Sequence, residues 1–507
     1  MKRILFLMAI VLLSVTGLRS AEHSFDNGKE PLVVALTQDG HGADQDVEHS
    51  EPQNDDEGHG GSLQHASPPG WTVIPFVLLL VMIATGPLFY GHFWHKNYPI
   101  IAVVLAAVVI LYYLFVEHNT HGPVDALAEY VQFIALIASL YIASGGIMIN
   151  IDKKATPWAN VLLLIVGAIM SNLIGTTGAS MLLIRPFMRL NKGRIKPYHI
   201  IFFIFMVSNI GGALTPIGDP PLFLGFLKGV PFTWTLTHNF FPWLIALTIL
   251  SLIFYWKDKK NVDEDLYLDD TSDYTGKTEI VGARNFIWLA IIIVAVFIDP
   301  HVIEGVPSIH YDGLDFSYIR EIIMLTVAFL SYKFADKKAI LGNEFNFEPI
   351  KEVAFIFIGI FGTMTPALEL VSEFASSEMG IAFIHPNALY WGTGLLSGFL
   401  DNAPTYLNFF AAALASKGGS INNIADVQNF AAGGIYTESI GDLLAISIGA
   451  VFFGAMTYIG NGPNFMVKSI AEQGGVKMPS FFGYIIRYSI PILLPIFFII
   501  WILFFIF

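Results

Sequence analysis

The chain has 507 residues, 54% of them apolar, 14% aromatic and 13% charged, with a mean hydropathy of +0.61. Such a chain would be insoluble as a water-surrounded globule, and its composition is that of a polytopic membrane protein. The formal net charge of -14 lies mainly before residue 70 and after residue 257, in solvated segments, and no basic stripe points to nucleic acid. Cysteine is absent, which excludes disulfides, thiolate catalysis and Cys-ligated zinc.

Lys2 and Arg3 precede an apolar run from Ile4 to Val15, the layout of a bacterial secretory signal. Arg19 spoils a clean cleavage site, so residues 1–21 are expected to be a signal peptide or an uncleaved anchor. Residues 22–70 hold eleven acidic residues against the single basic Lys29, together with His23, His41, His49, His59 and His65. The composition predicts a disordered periplasmic segment. A metal-scavenging or pH-sensing tail is the sharper reading, but the scattered histidines define no ligand pair.

Apolar segments at 72–90, 98–116 and 127–149 are each long enough to cross ~30 Å of hydrocarbon. The next segment differs. Trp158–Ser171 and Ala179–Leu190 are short arms around Asn172-Leu173-Ile174-Gly175-Thr176-Thr177-Gly178, and neither reaches beyond ~20 Å. Lys153 and Lys154 precede the pair, and Arg189, Lys192, Arg194 and Lys196 follow it. By the positive-inside rule both ends are cytoplasmic, which predicts a re-entrant hairpin.

Residues 198–227 contain Ser208-Asn209-Ile210-Gly211-Gly212-Ala213-Leu214-Thr215-Pro216-Ile217-Gly218-Asp219-Pro220-Pro221. Glycine and proline at this density cannot continue a helix, so the stretch predicts an unwound point in a membrane helix. Residues 239–256 return to Lys257, Lys259 and Lys260, and 257–284 form an acidic cytoplasmic linker.

The second half repeats the plan, with spans near 285–299, 319–334 and 351–372. Two short arms, Asn387–Leu400 and Thr405–Ser416, flank Asp401-Asn402-Ala403-Pro404, and a final span covers 481–506. Between them, 435–470 carries Gly454-Ala455-Met456-Thr457-Tyr458-Ile459-Gly460-Asn461-Gly462-Pro463, which matches the first unwound stretch with Gly454 laid on Gly212. The expected architecture is all-α. It has about ten transmembrane helices and two opposed re-entrant hairpins, in inverted repeats over 72–256 and 285–507.

A charge at mid-membrane costs ~2.5 to 3.5 kcal/mol even on a lenient scale, so an Asp there signals function. Asp219 and Asp401 qualify. A local alternative for Asp219 is a helix N-cap. Burial opposes a carboxylate's charge and a bound cation favours it, so protons and a small cation compete for one site. Hydroxyls and amides at Thr176, Thr177, Asn209, Thr215, Asn402, Thr405, Thr457 and Asn461, with freed carbonyls, can replace a hard cation's water shell. Asn172 is the repeat counterpart of Asn402, and Asn461 that of Asp219. Each Thr or Asn taken singly could instead bond its own helix. Glu438 and Asp442, four residues apart on one helical face, could be a proton path, but helix arithmetic puts Asp442 near the outer surface. Glu129, Glu369 and His199 are likewise expected near span ends.

At these motifs the chain resembles the NhaD-type sodium/proton antiporters of the ion transporter superfamily, whose wider membership includes dicarboxylate, citrate and arsenite carriers. Ser171-Asn172 with Thr176-Thr177, the run Thr215-Pro216-Ile217-Gly218-Asp219-Pro220-Pro221, Asp401-Asn402-Ala403-Pro404-Thr405 and Gly454–Pro463 carry the resemblance, which covers nearly everything from residue 72. It implies a multi-pass inner-membrane carrier, not an enzyme, that exchanges cytoplasmic Na+ or Li+ for external H+. It implies Na+ held at Asp219, Asp401, Asn172 and Asn402, and no cofactor. Carriers of this architecture often form homodimers, although no sequence feature marks a seam. A dicarboxylate or other anion carrier is the alternative on the same architecture. An intramembrane aspartyl protease using Asp219 and Asp442 is a third, weakened by the lack of Gly-x-Gly-Asp and by the loop position of Asp312.

Overall fold

The computed structural model describes residues 68–151, 153, 155–265, 277–300, 303, 305–311 and 314–506. The expected signal over 1–21, residues 22–67 of the acidic segment and 266–276 of the linker lie outside the described residues. Among the described residues nine helices are long and apolar enough to cross a membrane. The chain is an all-α polytopic membrane protein; its described strands form only two short antiparallel pairs.

Helices α1 (Ile74–Phe89), α2 (Gly91–Phe115) and α3 (His121–Gly145) take up the first three expected spans. Helix α2 leaves Ile100, Val104, Val108 and Leu111 exposed, an apolar face suited to lipid and not to water. A short strand β1 (Met148–Ile151) follows, and then α4 (Pro157–Leu190). A straight helix of its 34 residues would be ~51 Å long. It is not straight. Gly175 has φ 75° and ψ 155°, which a residue with a Cβ rarely adopts, and the chain folds back there. Asn160 and Asn191, which would stand ~46 Å apart on one straight helix, exchange two side-chain hydrogen bonds of 2.8 Å.

Helix α5 (Pro197–Met206) leads into a 3₁₀ turn at Ile210–Leu214, an extended break, and the two-turn helix α6 (Pro220–Leu227). Prolines at the first helical position start α5 and α6, where a missing N–H costs nothing. Helix α7 (Phe232–His238) and helix α8 (Phe240–Asp265) follow. Helix α8 runs on through Lys257–Asp265, a largely charged stretch with no Gly or Pro to break it. Strand β2 (Thr278–Val281) then pairs with β1, Met148 opposite Val281. Four residues show too little alternation for the sequence to have marked this pairing.

The second half gives α9 (Asn285–Ala295), α10 (Ile319–Lys333), α11 (Lys337–Gly342), α12 (Glu348–Ser376) and α13 (Glu378–Phe383). Where spans were expected at 285–299 and 319–334, α9 has 11 residues and α10 has 15. These reach only ~16 and ~22 Å. Asp299 precedes Pro300, a position that disfavours helix. Helices α14 (Pro386–Ser397) and α15 (Asn402–Ala415) form a second fold-back. Gly392 lies against Phe409, whose ring carbon is 3.1 Å from where a Cβ would sit. After α16 (Ile424–Ala432), helix α17 (Ser439–Phe453) ends in a 3₁₀ turn at Gly454–Met456, breaks, and resumes as α18 (Gly462–Gln473). The helical run Phe481–Ile506, α19, closes the described chain.

The two broken helices lie at the centre of the core. Of the residues Pro197–Leu214 94% are buried and of Ser439–Met456 83%, against 28% of an apolar stretch within Gly91–Phe115. Their breaks are built alike. Thr215 (φ −134°, ψ 154°) and Asp219 (φ −141°, ψ 143°) bracket the first; Thr457 (φ −139°, ψ 169°) and Asn461 (φ −153°, ψ 142°) bracket the second. The repeated Gly-x₅-Gly spacing has a steric reason. A Cβ on Gly218 would lie 2.1 Å from the Gly212 carbonyl oxygen, and one on Gly460 2.6 Å from that of Gly454.

Candidate functional site

Most backbone groups freed by the two breaks are satisfied by side chains, as burial requires. In the first break, Asn172 Nδ2 and Trp243 Nε1 donate to the Gly211 carbonyl at 2.6 and 3.1 Å. Asn239 Nδ2 donates to the Ala213 carbonyl at 2.8 Å, and Thr235 Oγ1 to that of Leu214 at 3.0 Å. In the second, Asn464 Nδ2 donates to the carbonyls of Gly454 and Thr457, at 2.8 and 2.9 Å, and the Tyr484 hydroxyl to that of Ala455 at 2.9 Å. The freed carbonyls expected to face an ion are in large part taken up internally.

One charged group sits where the four special elements meet. Asp219, 1% exposed, holds the N-cap position of α6 but makes no capping bond. Its Oδ1 accepts from Thr176 Oγ1 at 2.9 Å and from Asn461 Nδ2 at 2.8 Å; its Oδ2 accepts from Asn402 Nδ2 at 2.6 Å. The donors come from the first fold-back, the second broken helix and the second fold-back. All are neutral, and among the described residues no Lys, Arg or His pairs with this carboxylate. The local N-cap alternative belongs instead to Asp401, whose Oδ1 accepts from the Ala403 N–H at 3.0 Å. Asp401 is adjacent to Asn402 and within electrostatic range of Asp219.

Two buried amide oxygens beside this carboxylate, Asn402 Oδ1 and Asn209 Oδ1, have no donor among the described residues. A Cβ placed on Gly454 would lie 3.1 Å from Asn209 Oδ1, 3.2 Å from the Gly460 carbonyl oxygen and 3.4 Å from the Asn402 amide nitrogen. The absence of a side chain at Gly454 thus lets the Asn209 oxygen, the Gly460 carbonyl and the Asn402 amide nitrogen approach one point. On the other side, a cavity of about 30 Å³ reaches Asp219, lined by Leu136, Ile137 and Leu140 of α3, by Gly175, Thr176 and Thr177, and by Pro216–Pro220. That volume holds one or two waters.

The eleven candidate residues divide by what their polar atoms do. Asp219, Thr176, Asn402 and Asn461 meet directly, with Asp401 and Asn209 beside them and Thr177 on the cavity wall. Asn172 is occupied otherwise: Nδ2 donates to the carbonyls of Ala168 and Gly211, and Oδ1 accepts from the Leu214 N–H at 2.8 Å. Thr215 donates to the Asn172 carbonyl and Thr405 to that of Asp401, while Thr457 Oγ1 accepts from the N–H groups of Ile459 and Gly460. These four pin backbone. Sequence reasoning missed Asn464, whose Oδ1 accepts from Asn209 at 2.7 Å and joins the two broken helices. Its place three residues after Asn461, in Asn461-Gly462-Pro463-Asn464, was the available signal.

Three side chains expected near surfaces are buried. Glu129 pairs with Lys228, Asp442 with Lys417 at 3.0 Å, and His199 with Asp258 at 2.9 Å. Distance along a helix sets a residue's depth but not which neighbour covers it. The expected common face of Glu438 and Asp442 does not form, because Glu438 has φ 61° and precedes α17. Glu369 is exposed, as expected, and accepts from the Tyr113 hydroxyl at 2.9 Å.

Membrane-length helices, two of them broken around one buried carboxylate with neutral donors, define a multi-pass membrane carrier. The family described as "Putative citrate transport" matches residues 65–505, and the chain belongs to it. It is a secondary transporter of the citrate/ion transporter type. A search of curated proteins finds no match.

Proposed function

We propose that the chain exchanges Na+ or Li+ for H+ by alternating access, with Asp219 binding either the cation or the proton. The observation that carries this reading is the environment of Asp219: buried, ringed by Thr176, Asn402 and Asn461, with no cationic partner among the described residues. A carboxylate there attracts a small cation, and the free oxygens of Asn402 and Asn209 can complete its shell without adding charge. A citrate or dicarboxylate at the same place would be repelled unless cations entered with it.

In this reading the fold-backs at Gly175 and between α14 and α15 are re-entrant hairpins entering from opposite faces. The two halves are inverted repeats, and the chain sits in a bacterial inner membrane with residues 22–70 outside. The contrast between Asn172, with both amide atoms used, and Asn402, whose oxygen has no donor among the described residues, supports an ion on the Asn402 side of the pseudo-symmetric centre.

Everted vesicles energised by respiration test the reading. Sodium or lithium added to vesicles containing the wild-type chain should dissipate the pH gradient, and labelled citrate or succinate should not accumulate. Sodium-dependent citrate uptake without sodium-dependent proton movement would instead establish the anion carrier that the family description favours.

A further inference from the structure

Helix α6 has Asp219 at its N-terminal cap and Lys228 at its C-terminal cap. It is eight residues long, ~12 Å, so whatever holds one end sets the position of the other. The N-terminal end is held by neutral contacts, the three donors to Asp219 and the hydrogen bond from the Thr176 N–H to the Gly218 carbonyl at 2.8 Å. The C-terminal end is held by charge. Lys228, buried, places its ammonium against Glu129 Oε1, 3.3 Å from Asp125 Oδ2 and 3.0 Å from Asn422 Oδ1.

Asp125 and Glu129 stand four residues apart on one face of α3, and Asn422 lies between α15 and α16. The three ammonium protons thus have three acceptors on two other elements. Burial works against the charge of Lys228, but Glu129 and Asp125 outweigh it and push the amine above the ordinary lysine range, so it remains a cation. Two carboxylates for one ammonium give an anchor that no neutral side chain reproduces. Fully bonded buried ion clusters keep one geometry, because removing a member leaves the others unpaired.

We propose that Lys228 is a positioning residue for Asp219, acting through the rigid two-turn helix between them and seating the ion-binding carboxylate relative to α3 and to the second fold-back. The proposal rests on Asp219 being the group that binds the cargo. It adds that cargo affinity depends on a cluster that touches no cargo.

The test uses the full chain in proteoliposomes and in detergent, with sodium alone as the probe and citrate as the second probe. Lys228→Arg retains a cation, with five N–H donors for the same three acceptors, and should bind sodium as the wild type does. The paired variant Lys228→Gln with Glu129→Gln keeps a neutral hydrogen bond, so it can fold. It should raise the apparent sodium dissociation constant about tenfold or more and shift the pH profile of exchange. Arg320→Gln, which removes the two ion pairs of Arg320 with Asp299 and Glu321, should lower thermal stability without changing sodium affinity. Unchanged sodium affinity and pH profile in the folded paired variant, or an equal loss in Arg320→Gln, would overturn the proposal. If the wild type binds citrate and not sodium, the exchange reading fails by itself, and the positioning claim is decided by the same variant-to-wild-type ratio measured for citrate.

Discussion

Replacing Asp219 by asparagine removes the central charge while keeping nearly the same shape. Two donors converge on Oδ1 and one on Oδ2, so the new amide should keep its oxygen in the Oδ1 position and turn its NH₂ toward Asn402. That would set one amide nitrogen against another across 2.6 Å. Asn402 can relieve the clash by rotating its amide, because its Oδ1 has no donor and can accept the new N–H. The structural cost is then about one exchanged buried hydrogen bond, ~1 kcal/mol. The loss to a bound cation is larger: a unit charge at ~4 Å in an effective dielectric of ~20 contributes about 4 kcal/mol, on the order of a thousand-fold in affinity. Asp219→Asn should therefore melt close to the wild-type temperature yet show no sodium-dependent proton movement in everted vesicles. Asp219→Ala, which strands three buried donors at ~1–3 kcal/mol each, should be markedly less stable. If Asp219→Asn exchanges sodium with an apparent KM within tenfold of the wild type, the carboxylate is not the cation site.

Three further outcomes are expected. Gly175→Ala must hold a Cβ at φ 75° and 3.3 Å from the Ile217 carbonyl oxygen, so it should cost ~1–3 kcal/mol, read as a lower melting temperature. Asn464→Ala would leave the carbonyls of Gly454 and Thr457 without their side-chain donor and take from Asn209 one of its two acceptors, the Ile204 carbonyl remaining. It should destabilise by ~2 kcal/mol or more and reduce exchange; a wild-type melting curve would contradict the bridging role. A proton and a cation that exclude each other at Asp219 weaken apparent sodium affinity as pH falls. KM should rise about tenfold per unit below the protonation midpoint and level off above it, and a flat profile would separate proton from cation binding.

Much of this was legible in the residues because it is written in local chemistry. Apolar runs of membrane length, and Gly-Pro-rich interruptions that no helix tolerates, dictate spans and breaks whatever surrounds them. The matched stretches around Gly212 and Gly454 therefore appeared in the sequence as a pair, and the structure gives both the same extended torsions. The short arms around Gly175, with basic residues at both outer ends, implied a reversal, and the amide exchange between Asn160 and Asn191 places that reversal on the molecule. The pairing of β1 with β2 was not legible, since it depends on a partner more than a hundred residues away.

Among the polar residues, sequence could name candidates but could not assign their bonds. Asn172 and Asn402 look equivalent in the chain; packing gave the Asn172 oxygen to the Leu214 N–H and left that of Asn402 free. Asp219 and Asp401 were alike as rare acids in apolar surroundings, and only the folded geometry made one the centre of three donors and the other the cap of its own helix. Glu129 and Lys228, 99 positions apart in the chain, became an ion pair because α3 passes the end of α6. The sequence by itself determined a membrane-spanning α protein with two interrupted helices and acids at the interruptions, since hydropathy and backbone propensity act over a few residues. Which oxygens stay free for a ligand was decided by tertiary structure, because a buried polar atom is satisfied by whichever distant element the fold brings within about 3 Å.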